Sequence, residues 1–536
     1  MTQTIENPIL RGFNPDPSIC RVGDDYYIAT STFEWYPGVQ IHHSRDLVNW
    51  RLVTRPLARE SLLDMRGVPD SCGVWAPCLT HADGQFWLVY TRVNRFDGNF
   101  KDTHNYLTVC DRIDGDWSEP IYLHSAGFDP SLFHDDDGRK WYLSMIWDHR
   151  PDRSFFGGIF LQEFSVAQQK LIGPSNNIFP GSETGLTEGP HLYRHDGYYY
   201  LLTAEGGTGY DHAMTLARST SITGPFEVDP QRHFITAQDR PESPLQRCGH
   251  GDWVETPEGD IFAVHLCSRP LSPELRRSPM GRETALQRLQ WSSTGWLRNV
   301  AGSSAPSTSI VAPSSLAPCP WPEVPTRRMF EAGALPAEFQ WLRTPDPDFL
   351  FSTDARPGYL RLYGRESLGS LFYSSLVARR QQALSFEAYT EVEFAPAHFQ
   401  QQAGLVCYYN GHKFHYLYMS HDETNGRHLA IMSCPGDQSL ATQFPLQLEP
   451  VRVPAEGPIS LRANVARDTL QFYWSQNGED WQAVGEPLDY SLLCDEVGKG
   501  DGANFTGAFV GMCAQDVAGT GLSADFRYFE YREHAA

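Results

Sequence analysis

The sequence lacks the long apolar runs and the excess of basic residues that mark membrane proteins and nucleic-acid-binding proteins. No apolar stretch approaches the roughly 18–20 residues needed to cross a bilayer, so we expect no membrane association. Lysine and arginine number 43 against 65 aspartates and glutamates, which gives a formal net charge of −22. Because phosphate backbones require clustered cationic side chains, this balance argues against nucleic acid as a partner. It favours a neutral or cationic ligand.

Paired cysteines and a leader segment are also absent. The 11 cysteines are scattered from Cys20 to Cys513 without a C-x-x-C pair, which predicts free buried thiols in a reducing compartment. The fragment Cys248-Gly249-His250 offers two ligands at most and is a weak metal signal. Residues 1–8 contain no basic region followed by an apolar run, so no signal peptide is predicted. These features together predict a cytoplasmic protein.

The length and the composition indicate two globular domains. A chain of 536 residues exceeds the size at which a single core stops growing, and its 41% hydrophobic and 20% charged residues are typical of globular proteins. Residues 301–325 are rich in proline, serine and alanine, which is typical of a linker or an extended wrap. We therefore predict a first domain at residues 1–305, a linker at 306–326 and a second domain at 327–536.

A repeated motif of a turn and a strand runs through the first domain. Five acidic turns each open an aromatic or apolar strand, and successive turns lie 54 to 62 residues apart. The turns are Asp24-Asp25, Asp83-Gly84, Asp137-Gly138, Asp196-Gly197 and Glu258-Gly259. A repeat of this length, built of short strands, is typical of β-propeller blades. The sequence therefore predicts a five-bladed propeller.

The second domain contains strands without this motif. Alternating segments such as Ala388–Phe394 and Leu470–Trp474, with turns at Asn410-Gly411 and Asn477-Gly478, favour an antiparallel β-sandwich. The predicted fold class is all-β, with a five-bladed β-propeller followed by a β-sandwich of jelly-roll or lectin-like type.

One residue that could take part in catalysis or binding precedes each turn by eight positions. These residues are Asp16, Trp75, Asp129, Glu188 and His250. Equivalent positions in radially arranged blades converge on the axis, so we expect the five side chains at one site. A single Asp-Pro pair is more often a turn. Three carboxylates at one repeat position are harder to explain structurally, because gathering like charges costs free energy. Such costs usually mark functional sites.

Paired carboxylates of this kind suit the hydrolysis of a glycosidic bond. One carboxylic acid protonates the leaving oxygen, and a second carboxylate acts on the opposite face of the sugar. When the second group activates water, the two groups lie about 6.5–9.5 Å apart and the configuration inverts. We favour Glu188 as the acid, Asp16 as the base and Asp129 as the neighbour that keeps Glu188 protonated. The spacing alone does not settle which acid takes which role.

Six motifs resemble those of a known family. They are Asn14–Ser18, Tyr26–Phe33, Gly73–Pro77, Gly127–Ser131, Leu186–Pro190 and Gly281–Thr284. The sequence resembles glycoside hydrolase family 43 over essentially its whole length, specifically the two-domain β-xylosidases. The resemblance implies an inverting, exo-acting β-1,4-xylosidase that requires no cofactor and uses Asp16, Glu188 and Asp129 in the roles given above. It also implies side activity on α-L-arabinofuranosides.

The resemblance further implies a set of substrate-binding residues. Arg282 is expected to touch sugar hydroxyls or the base carboxylate, although a surface salt bridge is an alternative. Phe33 and Trp75 are expected to form the apolar wall of the subsite for the cleaved sugar, with simple packing as the alternative. Trp147 and Phe505 are also expected to bind substrate, and Phe505 would close the pocket from a sandwich loop, so that only a chain end can enter.

His250 is the least specific of these residues. The resemblance places it at the pocket floor, near water or a divalent cation such as Ca²⁺, but a buried, hydrogen-bonded histidine is the favoured interpretation. No metal ligand set is predicted with certainty.

Two other functions remain open at this stage. One is an α-L-arabinofuranosidase on the same fold, and the other is a carbohydrate-binding propeller without catalysis. The expected partner is a xylo-oligosaccharide, and a homo-oligomer, dimer or tetramer, is a further expectation.

Overall fold

The computed structural model describes residues 3–436, 450–498 and 504–534. Within these ranges the regular structure is β-strand, apart from two short 3-10 helices at Pro347–Phe349 and Tyr490–Leu492. The predicted all-β class is therefore confirmed. None of the described helices has the length and apolar character of a membrane span. The outer limits of the predicted domains, residues 1 and 536, lie outside the described ranges.

Residues 18–299, all of which are described, form five antiparallel sheets of four strands each. The strands of the first blade and its surroundings are β1 (Thr4–Glu6), β2 (Ser18–Val22), β3 (Asp25–Thr30), β4 (Trp35–Tyr36), β5 (Gln40–Ser44) and β6 (Arg51–Thr54). The second blade contains β7 (Gly73–Ala82), β8 (Gln85–Arg95), β9 (Asp102–Cys110) and β10 (Ile121–His124). The third blade contains β11 (Ser131–His134), β12 (Lys140–Trp147), β13 (Phe156–Ser165) and β14 (Lys170–Phe179).

The remaining two blades follow the same meander. The fourth contains β15 (Glu188–His195), β16 (Tyr198–Glu205), β17 (Ala213–Ser219) and β18 (Glu227–Thr236). The fifth contains β19 (Gln246–Glu255), β20 (Ile261–Ser268), β21 (Glu283–Trp291) and β22 (Leu297–Asn299). The first strands of the blades, β2, β7, β11, β15 and β19, contact one another in a closed ring around the axis. The predicted five-bladed propeller is confirmed.

The acidic turns of the repeat connect the first and second strands of each blade. At Asp83-Gly84 and at Asp196-Gly197 both residues have positive φ, as two-residue hairpin turns that follow the strand twist require. This turn chemistry explains why the repeat was visible in the sequence.

The second part of the chain is a sandwich. It follows β23 (Ser309–Val311), which is not part of its sheets. Its strands begin with β24 (Arg327–Met329), β25 (Phe339–Leu342), β26 (Phe351–Ser352), β27 (Leu360–Tyr363), β28 (Ser375–Arg380), β29 (Ser385–Glu393) and β30 (Gln401–Asn410). They continue with β31 (Lys413–Asp422), β32 (Gly426–Pro435), β33 (Val451–Arg452), β34 (Ile459–Ala466), β35 (Thr469–Ser475), β36 (Gln482–Asp489), β37 (Phe509–Asp516) and β38 (Ser523–Glu533). As far as the chain is described, two sheets of eight strands enclose an apolar core. The predicted sandwich is confirmed.

Two strand pairings join the parts of the chain. β1 pairs with β23, so the segment after the propeller returns to its N-terminal strand. β4 leaves the first blade and pairs with β25 at the edge of a sandwich sheet. Beside this pairing, the Trp35 ring stacks on Phe509 with centroids 3.7 Å apart. Because both rings are buried, this contact fixes the sandwich against the propeller and carries the segment before Phe509 to the propeller axis.

Candidate active site

A cavity of about 240 Å³ lies at the propeller axis, where the sandwich covers it. Every residue that the sequence analysis proposed for the site lines this cavity: Asp16, Phe33, Trp75, Asp129, Trp147, Glu188, His250, Arg282 and Phe505. The structure therefore brings all nine together, although they span almost 500 residues of sequence.

The backbone presents the axial residues in an unusual conformation. Asp16, Asp129 and His250 have φ of 55°, 55° and 31°, and in the other two blades the residue after the axial one, Ala76 or Gly189, has φ of 38° or 54°. Residues other than glycine rarely adopt this left-handed region, and such strain clusters at functional sites. The ladders of β7 and β15 also shift register directly after Trp75 and Glu188. The same backbone feature recurs at the cavity end of all five innermost strands, which indicates a site rather than a packing accident.

Gly189 allows two of these strands to meet. A Cβ atom at this position would lie 2.9–3.2 Å from three atoms of the His250 ring. Any larger residue would push His250 away from the floor of the cavity, so glycine is required beside Glu188 for steric as well as conformational reasons.

Asp16 is an ionised carboxylate held by several donors. Burial alone would raise its pKa, but Arg282, His250 and the hydroxyl of Ser31 outweigh burial and hold the pKa below the ordinary value. Arg282 Nη1 donates to Oδ1 at 2.9 Å, and Ser31 Oγ donates to Oδ2 at 2.6 Å. Ser31 Oγ also accepts from the Ala76 backbone N–H at 2.7 Å, which links the carboxylate to the second blade. Asp16 is therefore ionised at neutral pH.

Arg282 connects the base to the sandwich. Its side chain is 3% exposed, and Nη2 donates to the Phe505 carbonyl at 3.0 Å while Nη1 holds Asp16. The alternative of a surface salt bridge is therefore wrong. Within the described ranges its Nε has no acceptor, and a buried donor without a partner costs roughly 1–3 kcal/mol. This donor is available to a bound hydroxyl group or to water.

The pKa values of Asp129 and Glu188 are raised, whereas that of Asp16 is lowered. Burial, then the charge of Asp16, raises the pKa of Glu188 to about 7. Burial, then Glu188 and Asp16, raises the pKa of Asp129 well above its usual range, although Asp129 Oδ2 accepts from Gly189 N at 3.1 Å. Because each carboxylate disfavours charge on the other, the Asp129–Glu188 pair retains a proton near neutral pH. The cavity therefore holds an ionised carboxylate together with a protonated pair.

The histidines of the cavity are neutral. Burial lowers the pKa of His250 to about 4 and that of His212 to about 3. His250 Nδ1 lies 4.0 Å from Asp129 Oδ2. Among the described residues, no three His, Cys, Asp or Glu side chains converge to hold a metal ion, whereas calcium takes six to eight oxygen ligands. The side chains around His250 do not fit a calcium site supplied by the protein.

Aromatic rings form the wall of the cavity. Trp75 lies 5.6 Å from Phe33, 5.0 Å from Phe96 and 5.7 Å from Phe505 between ring centroids. Phe96 and Phe505 are 4.9 Å apart. Phe33 and Trp75 thus both pack together and face the cavity, so the two interpretations of these residues hold at once. Phe505, from the sandwich, completes the wall.

A lysine stands at the edge of this wall. Lys101 Nζ lies 3.7 Å from the Phe96 ring centroid and 4.5 Å from that of Trp147. Burial lowers the pKa of Lys101 to about 8, and its charge opposes the rise in the pKa of Glu188. Lys101 is thus a cationic neighbour of the proposed acid.

Several residues of the site were missed by sequence reasoning. They are Ser31, Phe96, Lys101, Phe128, Leu186, Gly207, Thr208 and His212. Phe128 adjoins Asp129 and Leu186 precedes Glu188 by two positions, so the repeat could have indicated both. Phe96 and Lys101 lie in or beside the connection between β8 and β9, where no repeated pattern marks them.

Comparison with known proteins gives the same picture over the full chain. Residues 5–297 match the family model described as glycosyl hydrolases family 43, and residues 327–532 match that of the β-xylosidase C-terminal concanavalin A-like domain. The chain is 53% identical to Xylosidase/arabinosidase 43B of Humicola insolens, over 98% of this chain and 97% of that one. It is 51% identical to a β-xylosidase of Bacillus subtilis strain 168, over 99% of each chain.

A solved structure extends the likeness to three dimensions. The crystal structure of xylan β-1,4-xylosidase from Bacillus halodurans C-125 superposes with a TM-score of 0.96 at 50% identity, covering 99% of this chain and 100% of that one. The family model alone covers more than half of the sequence. The chain therefore belongs to glycosyl hydrolases family 43 and is a glycoside hydrolase.

Proposed function

We propose that this protein is an exo-acting, inverting β-xylosidase that releases xylose from the non-reducing ends of β-1,4-xylo-oligosaccharides. The observation that carries the proposal is the contrast within one cavity between Asp16, which is ionised, and the Asp129–Glu188 pair, which retains a proton. Single-displacement hydrolysis needs one group of each kind. The names of the two relatives and of the solved structure support xylosides as the substrate class.

In the proposed reaction Asp16 is the general base. Its carboxylate takes a proton from a water molecule while the water oxygen bonds to the anomeric carbon. Arg282 and Ser31 hold the carboxylate in place through one hydrogen bond to each oxygen. The bond from the anomeric carbon to the glycosidic oxygen breaks, and Glu188 gives its proton to that oxygen. Atoms and charges balance, because the base gains the proton that the acid loses.

Asp129 has a supporting role in this proposal. Its carboxyl group is coupled to Glu188, and Gly189, the residue after Glu188, donates to it. The role assigned from the sequence, in which Asp129 keeps Glu188 protonated, stays a prediction. The anion that raises the pKa of Glu188, after burial, is Asp16.

The sandwich supports exo cleavage. Phe505 contributes to the cavity wall, and Gly281 and Thr506 bring the two domains into direct contact beside Arg282, since a Cβ at Gly281 would lie 2.0 Å from the Thr506 carbonyl oxygen. A cavity that is walled on this side favours entry of a chain end over entry of an internal segment. We therefore propose the release of single sugar units.

A second candidate activity has support from the comparisons. The Humicola insolens relative is called a xylosidase/arabinosidase, which supports hydrolysis of α-L-arabinofuranosides as a companion or main activity. Both reactions would use the same three carboxylates, and the difference would lie in how the aromatic wall fits the sugar ring.

Parallel assays on two substrates separate these activities. We expect nitrophenyl β-xyloside to be hydrolysed with a higher kcat/KM than nitrophenyl α-L-arabinofuranoside, and xylobiose to be cut to xylose. The opposite order would favour the arabinofuranosidase. Turnover of neither glycoside would overturn the proposal.

A further inference from the structure

The segment from Met65 to Ser71, between the first and second blades, is hydrogen-bonded to the sandwich. Met65 N donates to the Arg343 carbonyl at 3.3 Å, and Gly67 N donates to the Leu371 carbonyl at 2.7 Å. Arg343 Nε donates to the Val68 carbonyl at 2.6 Å, in the middle of the segment. These contacts with the sandwich end at Ser71, which lies four residues before Trp75 of the cavity wall.

Ser71 has hydrogen bonds to both halves of the aromatic wall. The Trp75 indole N–H donates to the Ser71 carbonyl at 3.1 Å. The Phe505 backbone N–H, from the sandwich, donates to Ser71 Oγ at 3.0 Å. Ser71 is 1% exposed and does not line the cavity itself. Among the described residues it is the one that bonds both Trp75 and Phe505.

The conformation of Ser71 is itself held in place. Its φ is 61°, a left-handed value that serine rarely adopts, and its backbone N–H donates to Glu34 Oε2 at 3.1 Å. Glu34 is fully buried and follows Phe33 of the cavity wall in sequence. Backbone strain of this kind persists only where the surrounding structure holds it, and it is concentrated at functional sites.

From these contacts we infer that Ser71 is a positioning residue for substrate binding, which sets the distance between Trp75 and Phe505 across the domain boundary. The inference rests on the proposed glycosidase function. Loss of the hydroxyl group removes the bond that holds the Phe505 backbone N–H, while Asp16 keeps its bonds from Arg282 and Ser31, and Asp129 keeps its bond from Gly189. The substrate sugar then meets a looser wall in both the ground state and the transition state. Such uniform weakening raises KM and leaves kcat nearly unchanged.

The test uses Ser71→Ala in the full-length chain. Alanine and serine both carry a Cβ atom and meet the same steric penalty at positive φ, so the change removes the hydroxyl group with little added strain. We expect KM for nitrophenyl β-xyloside to rise about 5- to 20-fold with kcat within about twofold, in line with one lost hydrogen bond and a displaced ring. Ser71→Gly removes the same hydroxyl and relaxes the strain, so it covers the case in which the alanine variant folds poorly.

A double-mutant cycle with Phe505→Ala separates positioning from stability. In the Phe505→Ala background there is no ring to place, so Ser71→Ala should change KM less than twofold. Ser375→Ala is the matched control, because Ser375 Oγ is also buried but donates to the Tyr363 carbonyl within the sandwich. It should lower the melting temperature without a change in KM.

The outcomes are distinguishable. Equal effects of Ser71→Ala in the two backgrounds, or a fall in kcat with KM unchanged, would overturn the positioning role while the wild-type activity still supports the proposed function. Failure of the wild-type protein to hydrolyse the xyloside would instead count against the proposed function. An unchanged KM in both Ser71 variants would also overturn the inference.

Discussion

Two rings of polar side chains lie one after the other along the innermost strands of the propeller. The first ring contains Asp16, Trp75, Asp129, Glu188 and His250, and the second, two or three residues further along each strand, contains Ser18, Cys78, Ser131, His191 and Asp252. Both rings lie on or directly before the same five strands, and both are largely buried. Their hydrogen bonding differs.

The second ring links blade to blade. In the described part of the chain, Asp252 accepts four hydrogen bonds, from Ser18 Oγ, Ile19 N, Tyr193 Oη and Trp253 N. Ser18 Oγ also accepts from Leu79 N at 3.1 Å, so the first, second and fifth blades meet at one serine. A buried carboxylate that is satisfied in this way stabilises the ring of blades.

Two acids of the first ring, unlike Asp16, are short of donors. Over the same described residues, Asp129 accepts one hydrogen bond and Glu188 accepts none. Burial without donors disfavours the charged form, which is why the pKa of both groups rises. The comparison teaches that burial alone does not decide the role of an axial carboxylate: what matters is which donors its neighbours supply and whether it faces the cavity, as Asp16 does and Asp252 does not.

The largest expected effect comes from removing the base. Asp16→Ala should lower kcat by roughly 10³- to 10⁴-fold, because among the carboxylates that line the described cavity Asp16 is the one whose pKa is lowered. Substrate binding should persist, since the aromatic wall is intact. Single-turnover kinetics and a binding titration measure the two quantities. Turnover near that of the wild type would remove Asp16 from the role of base.

Removing the acid should give an effect that depends on the leaving group. Glu188→Ala should lower kcat/KM by roughly 10²- to 10³-fold on xylobiose, whose leaving alkoxide needs the proton. The loss should be much smaller for nitrophenyl β-xyloside, whose phenolate leaves unaided. A series of aryl xylosides with graded leaving-group pKa values provides the measurement. Equal losses along the series would contradict the assignment.

The pH profile sharpens the contrast between Asp16 and the carboxyl pair. In the proposed reaction Glu188 is protonated and Asp16 is ionised, so kcat/KM should fall as pH rises through about 7 and should stay high down to the ordinary pKa of an aspartate. Asp129→Asn removes a coupled acid, so it should move the upper limb to lower pH by roughly one unit or less. An upper limb that moves to higher pH would show that Asp129 does not help to keep Glu188 protonated.

The smallest expected effect on catalysis comes from the second ring. Asp252→Asn should leave kcat within about threefold of the wild type but lower the free energy of unfolding by roughly 1–3 kcal/mol, because its donors lose a charged acceptor. Denaturant unfolding and steady-state kinetics on the same preparation test this. A catalytic loss comparable to that of Asp16→Ala, with unchanged stability, would break the distinction between the rings.

The first ring could be predicted from the sequence because equivalent positions of a repeat occupy equivalent places in the blades. Turns such as Asp83-Gly84 fix the register of each blade, and counting back eight positions reaches the axis. The residues of the aromatic wall were harder to predict from the sequence. Phe505 came from the resemblance alone, and Phe96 lies in no repeated pattern.

The supporting contacts could not be read from the sequence. Ser31 reaches Asp16 only because β3 pairs with β2, and Ser71 meets Phe505 only because β4 and β25 bring the domains together. Such contacts form only when the fold brings distant segments together. Nothing in the sequence around a single serine indicates which segment it will meet. The four hydrogen bonds to Asp252 were equally unpredictable from the sequence, since their donors come from three blades.

The anomeric configuration of the first product tests the central claim most directly. If Asp16 activates water opposite the departing group, xylose observed by NMR in the first minutes of β-xyloside hydrolysis is the α-anomer, and β-xylose grows in later by mutarotation. Early accumulation of β-xylose would mean that a carboxylate attacks the sugar itself, and it would contradict the single-displacement account of the first ring.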